Sequence, residues 1–72
     1  MKIYRYIDIH QIDYHAVKWH QGYRLEKIIN LRQGDDIEGE FQDSQRFSIL
    51  RLPDGWSLYE IDRSYFKLVI NS

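Results

Sequence analysis

Apolar and polar residues alternate over short runs along most of the chain, which is the pattern of strands that bury one face. Six such runs occupy residues 2–7, 23–31, 36–41, 46–52, 56–61 and 66–70. Turn-forming residues separate the runs, most clearly at Gln21-Gly22 and at Pro53-Asp54-Gly55. The sequence RFSILRLPDGWSLYEI is the best-defined hairpin, because Pro53 fixes φ for a turn and Gly55 tolerates a positive φ. The pattern predicts a mostly β fold.

Residues 8–21 fit either a helix or a strand. A helix would begin at a capping Asp8 and end at Gly22. Its buried stripe would follow the i, i+3, i+7, i+10 spacing of Ile9, Ile12, Ala16 and Trp19. A strand would instead place Val17 and Trp19 on one face, just before the turn at Gln21-Gly22. We keep both interpretations: one helix at about 9–21 packed on a sheet, which gives an α+β fold, or one more strand.

The segments LRQGDDIE and GWSLYEIDRSYFKLV resemble eukaryotic SH3 domains, which carry a Gly-Asp turn, a Gly-Trp pair and a closing tyrosine. Trp56 and Tyr65 are nine positions apart, too few for the hairpin that lies between the corresponding residues of that family. The resemblance implies a small barrel, and no proline-peptide function is carried over. The expected fold is a small curved antiparallel sheet or an SH3-like barrel of five or six short strands, in one compact domain over residues 1–72.

Composition supports a small β domain without covalent staples. Isoleucine occurs ten times, alanine once and threonine never, which favours strands over helices. The chain has no cysteine, so disulfides and thiolate-bound zinc are excluded. The longest aliphatic run is Leu68-Val69-Ile70, far too short for a membrane span, and the N-terminal segment lacks the apolar core of a signal peptide. We expect a cytoplasmic protein that does not enter a membrane.

Five acidic residues within the segment 33–45 form the only block of one-signed charge. They are Asp35, Asp36, Glu38, Glu40 and Asp43. Residues 1–32 hold six basic against three acidic residues, and residues 46–72 hold four against three, so the net charge of −1 hides the block. On a strand, alternate residues of the block project from one face about 6.6 Å apart. This acidic strip would complement a cationic surface; alternatively, its like charges protect an exposed edge strand from aggregation.

The aromatic residues Tyr4 and Tyr6 can be interpreted in two ways. Tyr4 and Tyr6 share one face of the first predicted strand, opposite Ile3 and Ile7. If the isoleucines face the core, both tyrosines face solvent and can anchor a protein interface or stack on bases. If the tyrosines face the core, they have no such role. We expect core positions for the other large aromatic residues considered, which are Trp19, Tyr23 and Trp56.

The three histidines, His10, His15 and His20, are spaced by five residues. Five residues rotate a helix by a net angle of about 140°, and an odd spacing alternates the two faces of a strand. Neither regular element brings the three together, so we expect no metal site from them. Two histidines with a nearby lysine or arginine can cleave RNA by acid–base chemistry, and His10 with Lys18 or His20 could form such a set.

These observations favour binding over catalysis. We expect no enzyme activity, no catalytic residues, no cofactor and no metal. The leading hypothesis is a small stand-alone protein–protein interaction module, an inhibitor or adaptor of the phage or mobile-element type. The acidic strip, with Tyr4 and Tyr6, would dock on a cationic surface of a larger nucleic-acid-handling protein, such as a nuclease or a nucleic-acid-binding complex. A homodimer is compatible with the sequence.

Two alternative functions stay open. One is a nucleic-acid-binding β domain that uses Tyr4, Tyr6 and the basic residues of segment 1–32, although the near-neutral net charge argues against it. The other is a small histidine-dependent ribonuclease toxin.

Overall fold

Two antiparallel sheets, of three and five strands, make up the fold, so the mostly β prediction is confirmed. The structure is a computed structural model and describes all residues from 1 to 72. Its strands are β1 (Lys2–Tyr6), β2 (Ile12–His20), β3 (Tyr23–Leu31), β4 (Asp36–Glu38), β5 (Glu40–Asp43), β6 (Ser48–Arg51), β7 (Ser57–Ile61) and β8 (Phe66–Asn71). Two short 3-10 turns, Pro53–Gly55 and Arg63–Tyr65, are the only helical segments. None of the helical segments has the length and apolar character needed to cross a membrane.

The helix considered at 9–21 is wrong, because residues Ile12–His20 form a strand. β2 and β3 pair in register from Ile12 opposite Leu31 to His20 opposite Tyr23. Gln21 and Gly22 connect them with φ values of 50° and 81°, and two positive φ angles define the type I′ turn that suits the twist of a hairpin. The turn at Gln21-Gly22, which the strand interpretation required, is therefore present.

The strand order explains which edges are free. The larger sheet runs β3-β2-β7-β6-β5, and the smaller one runs β4-β1-β8. β3 and β4 are edge strands of different sheets. They are consecutive along the chain, joined by the loop 32–35. The predicted hairpin around Pro53–Gly55 is present as β6 and β7, with Leu50 opposite Leu58.

Gly39 divides the predicted strand 36–41 into β4 and β5, which belong to different sheets. Its backbone N–H donates to the carbonyl oxygen of Lys2 at 3.0 Å. A Cβ atom at this position would lie 2.7 Å from the carbonyl oxygen of Arg51. A side chain at residue 39 would therefore crowd the place where the chain crosses from one sheet to the other.

The two sheets enclose a core that is rich in aromatic rings. Tyr6, Leu50 and Leu58 are fully buried, and Tyr4 and Phe66 nearly so. The ring of Tyr6 packs edge-on against Phe66, with centroids 5.4 Å apart, and its hydroxyl donates to the carbonyl oxygen of His10 at 2.8 Å. Edge-to-face packing of this kind is a favourable arrangement for aromatic pairs.

The outward orientation considered for Tyr4 and Tyr6 is wrong. Their exposed fractions are 7% and 0%, whereas Ile7 is 43% exposed. β1 is the central strand of the smaller sheet, so the face that it turns toward the larger sheet is covered completely.

The core positions expected for Trp19 and Tyr23 are also wrong, since these side chains are 65% and 73% exposed. Both residues lie near the turn that joins β2 and β3. β2 pairs with β7 only at Ala16 and Val17, so the outer half of the hairpin extends beyond the body of the domain. Trp56, in contrast, is half-buried and packs against the core.

We predict that the domain loses stability in alkali through its buried tyrosines. Burial raises the pKa of Tyr6 and of Tyr14 above the ordinary value, with smaller contributions from the charge of Asp8 on Tyr6 and from Tyr6 on Tyr14. Because the folded-state pKa is raised, the protonated tyrosines contribute their full stability at pH values below the unfolded-state pKa of about 10. This contribution is lost as the pH rises beyond that pKa. Urea unfolding between pH 8 and 11 should therefore show constant stability first and a decline above about pH 10. A Tyr14→Phe variant should decline less, and an equal decline would contradict the assignment.

Candidate functional site

An open groove lies where the free edges of β3 and β4 face each other. Its volume is about 550 Å³. One wall is the second half of β3, another is the segment 35–38, and the third is the segment 52–56. The lining residues are Lys27, Ile29, Asn30, Leu31, Asp35, Asp36, Ile37, Glu38, Leu52, Pro53, Asp54 and Trp56.

Four carboxylates and one ammonium group line the groove, so its lining carries a net charge of −3. Asp35, Glu38 and Asp54 form no ion pair with a basic residue. The carboxylate of Asp36 does, since it accepts two hydrogen bonds from Arg5, at 2.8 and 3.2 Å. This hydrogen-bonded pair raises the pKa of Arg5, first through the hydrogen bond and then through the charge of Asp36. Three carboxylates thus lack a counter-charge within the chain.

The floor of the groove is apolar. Leu31 is buried, and Ile29, Ile37, Leu52 and Trp56 are partly buried against the core. Apolar floors with charged rims are common in surfaces that bind other molecules, because the floor supplies affinity and the rim supplies orientation.

Trp56 holds a cation from its own chain. The ammonium nitrogen of Lys27 lies 4.3 Å from the centroid of the Trp56 ring, and that of Lys18 lies 6.0 Å away. A cation within about 6 Å of an indole face is attracted by the negative charge of the ring face. The indole therefore fixes the base of the β2–β3 hairpin and also marks a place where an ammonium group fits in this groove.

The structure places three of the five acidic residues predicted to form a strip, Asp35, Asp36 and Glu38, in the groove. The other two lie outside the groove lining, on β5, which follows the interruption of the strand at Gly39. Glu40 forms an ion pair with Lys2, with 3.1 Å between Nζ and Oε1. Asp43 accepts hydrogen bonds from Arg63 and Ser48, both at 2.8 Å. The prediction of one continuous acidic strip is wrong in this respect.

Tyr4 and Tyr6 do not belong to the groove, and as core residues they are not accessible for docking or for stacking on bases. The histidines lie apart in the fold: His10 is in the loop before β2, His15 is opposite Ile28, and His20 is opposite Tyr23 at the end of the hairpin. No group of three or more histidine, cysteine, aspartate or glutamate side chains is arranged to hold a metal ion.

Sequence reasoning missed Asp54 and Trp56 as neighbours of the acidic residues. The turn Pro53-Asp54-Gly55 was a clear signal for the hairpin of β6 and β7, and it carries the Asp54 carboxylate and Trp56 to the groove. Their approach to residues 35–38 depends on how the two sheets pack, which no local pattern encodes.

None of the protein-family models, curated proteins or solved structures compared with this chain matches it. Functional conclusions consequently rest on the geometry of the groove and of the exposed strand edges.

Proposed function

We propose that this chain is a protein-binding module whose acidic groove receives an extended, cationic segment of a larger protein. The observation that carries the proposal is the set of carboxylates without a counter-charge, Asp35, Glu38 and Asp54, around an apolar floor. Lysine or arginine side chains of the partner would complete these ion pairs. The ammonium of Lys27 on Trp56 supports an occupant of this charge, because the groove already accommodates one such group.

The strand edges support an extended occupant. β3 and β4 are each an edge strand of their sheet, and both contribute residues to the groove. An extended peptide can add to a free edge through main-chain hydrogen bonds, while its alternate side chains reach the groove walls. Basic residues at every second position of the partner segment would thus face the carboxylates together.

For the partner and the cellular role, we keep the hypothesis drawn from the sequence. A nuclease or nucleic-acid-binding complex is a suitable partner, because such proteins carry cationic surfaces. In that setting the chain acts as an inhibitor or adaptor in the cytoplasm, with a binding role and without chemistry of its own.

We predict that an extended peptide of alternating lysine and valine binds in the groove and that groove carboxylates determine its affinity. Replacing Asp35→Asn, Glu38→Gln and Asp54→Asn together should weaken binding about tenfold, since three exposed ion pairs at roughly 0.2–1 kcal/mol each are lost. Binding is measured by titrating the peptide at low salt and following the NMR signals of Ile37 and Trp56. Added salt should weaken the wild-type complex by screening.

The matched control is the triple variant Glu40→Gln, Asp43→Asn and Glu60→Gln, which removes the same charge outside the groove. It should bind the peptide nearly as well as the wild type. Equal losses in the two triple variants would show that only net charge matters, and this would overturn the groove as the site. Absence of binding at millimolar peptide and low salt would overturn the proposal as a whole.

A further inference from the structure

The outer edge of β3 carries backbone groups that have no partner in the chain. His20 and Tyr23 flank the type I′ turn, so they form a hydrogen-bonded pair, and every second residue from Tyr23 onward points its N–H and C=O toward β2. Arg24 and Glu26 therefore point theirs away from the sheet. None of the backbone hydrogen bonds in turns and loops involves Arg24 or Glu26. An unpaired edge of this length is a template for another strand.

The side chains along this edge are exposed and self-complementary. Tyr23 is 73% exposed and Leu25 is 42% exposed. Arg24 and Glu26 lie on the opposite face of the strand and form an ion pair, with 3.0 Å between Nη2 and Oε1. Their side chains are 55% and 52% exposed, which leaves both charges accessible to a second molecule.

We propose that β3 pairs antiparallel with β3 of a second copy of this chain, about a two-fold axis at Leu25. In this register Arg24 of each copy faces Glu26 of the other. The two internal ion pairs then join into a cluster of four alternating charges. Arg24 and Glu26 are also the residues whose backbone groups point outward, so the same register completes their hydrogen bonds.

Charge selects this register over its neighbours. An axis at Arg24, Glu26 or Lys27 would place each of these residues directly opposite its own copy, and like charges directly opposite are destabilising. An axis at Ile28 would place Arg24 opposite Arg32 of the second copy. Among axes at residues 24 to 28, the one at Leu25 alone opposes residues of opposite charge.

The same register covers the exposed apolar surface of the strand. The two Leu25 residues would face each other as a non-hydrogen-bonded pair, the closer of the two pair types, with about 4.5 Å between Cα atoms. Tyr23 of each copy would face Lys27 of the other, and its ring would cover the aliphatic part of that side chain. The two five-stranded sheets would become one continuous sheet.

Sedimentation equilibrium of charge variants tests this dimer. The wild type should have twice the chain mass of 8.8 kDa. Arg24→Glu and Glu26→Arg, each made alone, should raise the dimer dissociation constant about tenfold or more, because each creates like-charge pairs across the interface. The combined variant Arg24→Glu/Glu26→Arg restores alternating charges and should dimerise again. Amide exchange at Arg24 and Glu26 should be slow in the dimeric forms and fast in the monomeric ones.

The control is Lys67→Glu on β8, one of the two edge strands of the other sheet, which should leave the dimer intact. A wild type that stays monomeric at millimolar concentration would overturn the proposal. So would a dimer that survives both single reversals, a combined variant that stays monomeric, or dissociation caused by Lys67→Glu. Arg24 and Glu26 do not line the groove, whereas Lys27 belongs to both surfaces. Peptide binding is therefore also measured on the single-reversal variants, which keep every groove carboxylate, so that failure of the dimer and failure of the groove are distinguished.

Discussion

Replacing Tyr6 with alanine is expected to lower the free energy of unfolding by about 3–5 kcal/mol, the cost of emptying a large aromatic site in a core. Tyr6 is fully buried, and its ring lies within 6.4 Å, centroid to centroid, of the rings of Tyr14, Tyr65 and Phe66. These residues come from different parts of the chain, and the Tyr6 ring fills the space among them. The substitution therefore removes packing from several contacts at once.

The size of the domain makes this loss decisive. A chain of this length has a total stability of roughly 4–11 kcal/mol by the usual per-residue range. At the low end of this range, a loss of about 3–5 kcal/mol leaves much of the population unfolded at room temperature, and at the high end it removes roughly a third to a half of the stability. Circular dichroism with urea titration measures the change directly.

Two companion variants separate the contributions of the Tyr6 side chain. Tyr6→Phe keeps the ring and removes only the hydroxyl that donates to His10, which should cost about 0.5–1.5 kcal/mol. Tyr23→Ala truncates a tyrosine that is 73% exposed and should change stability by about 0.5 kcal/mol or less. If Tyr6→Ala were no more destabilising than Tyr23→Ala, the assignment of Tyr6 to the core would be wrong.

The β2–β3 hairpin shows what local sequence could and could not predict. Strand 23–31 was predicted with the observed bounds, because turn residues precede it and polar residues follow it. The helix considered for 9–21 depended on the stripe Ile9, Ile12, Ala16 and Trp19. In the structure that stripe is not one surface: Ala16 is fully buried, whereas Ile9 is 75% and Trp19 is 65% exposed. The helical spacing was a coincidence in a strand with two differently covered faces.

The orientation of β1 could not be predicted for a related reason. Both faces of KIYRYI carry apolar side chains, so alternation identifies two faces and does not say which one is buried. The choice depends on the strand order, which places β1 between β4 and β8 and presses one face onto the larger sheet. In the structure, Tyr4 and Tyr6 occupy the inner face.

The candidate site was predictable in part. The acidic block marked the correct segment, and Asp35, Asp36 and Glu38 indeed line the groove. The basic partners that neutralise some of the block come from distant positions: Arg5 pairs with Asp36, and Arg63 pairs with Asp43. Such pairing depends on strand register across the two sheets. Counting charges along the chain overestimated the free negative charge for this reason.

Gly39→Ala is expected to destabilise the domain by about 1–3 kcal/mol through overpacking. The added Cβ would lie 2.7 Å from the carbonyl oxygen of Arg51 and 2.9 Å from Cδ1 of Leu50. The carbonyl belongs to the backbone of β6, and Leu50 is fully buried, so neither neighbour can move aside freely. The φ angle of Gly39 is not positive, so the cost is steric and not a matter of backbone conformation.

Gly22→Ala is the contrasting variant for this prediction, because it adds the same methyl group at a site with no other atom within 4 Å. Its cost arises from the positive φ of 81° alone and should leave the NMR signals of Leu50 and Arg51 unchanged. Gly39→Ala should shift both signals, and Gly39→Val should cost more than Gly39→Ala because its side chain is larger. Full stability of Gly39→Ala, with unchanged signals at Leu50 and Arg51, would refute the close approach at the crossing. A loss of stability with shifted signals would instead show that the crossing between the two sheets, which divides the acidic block at Gly39, favours a residue without a side chain.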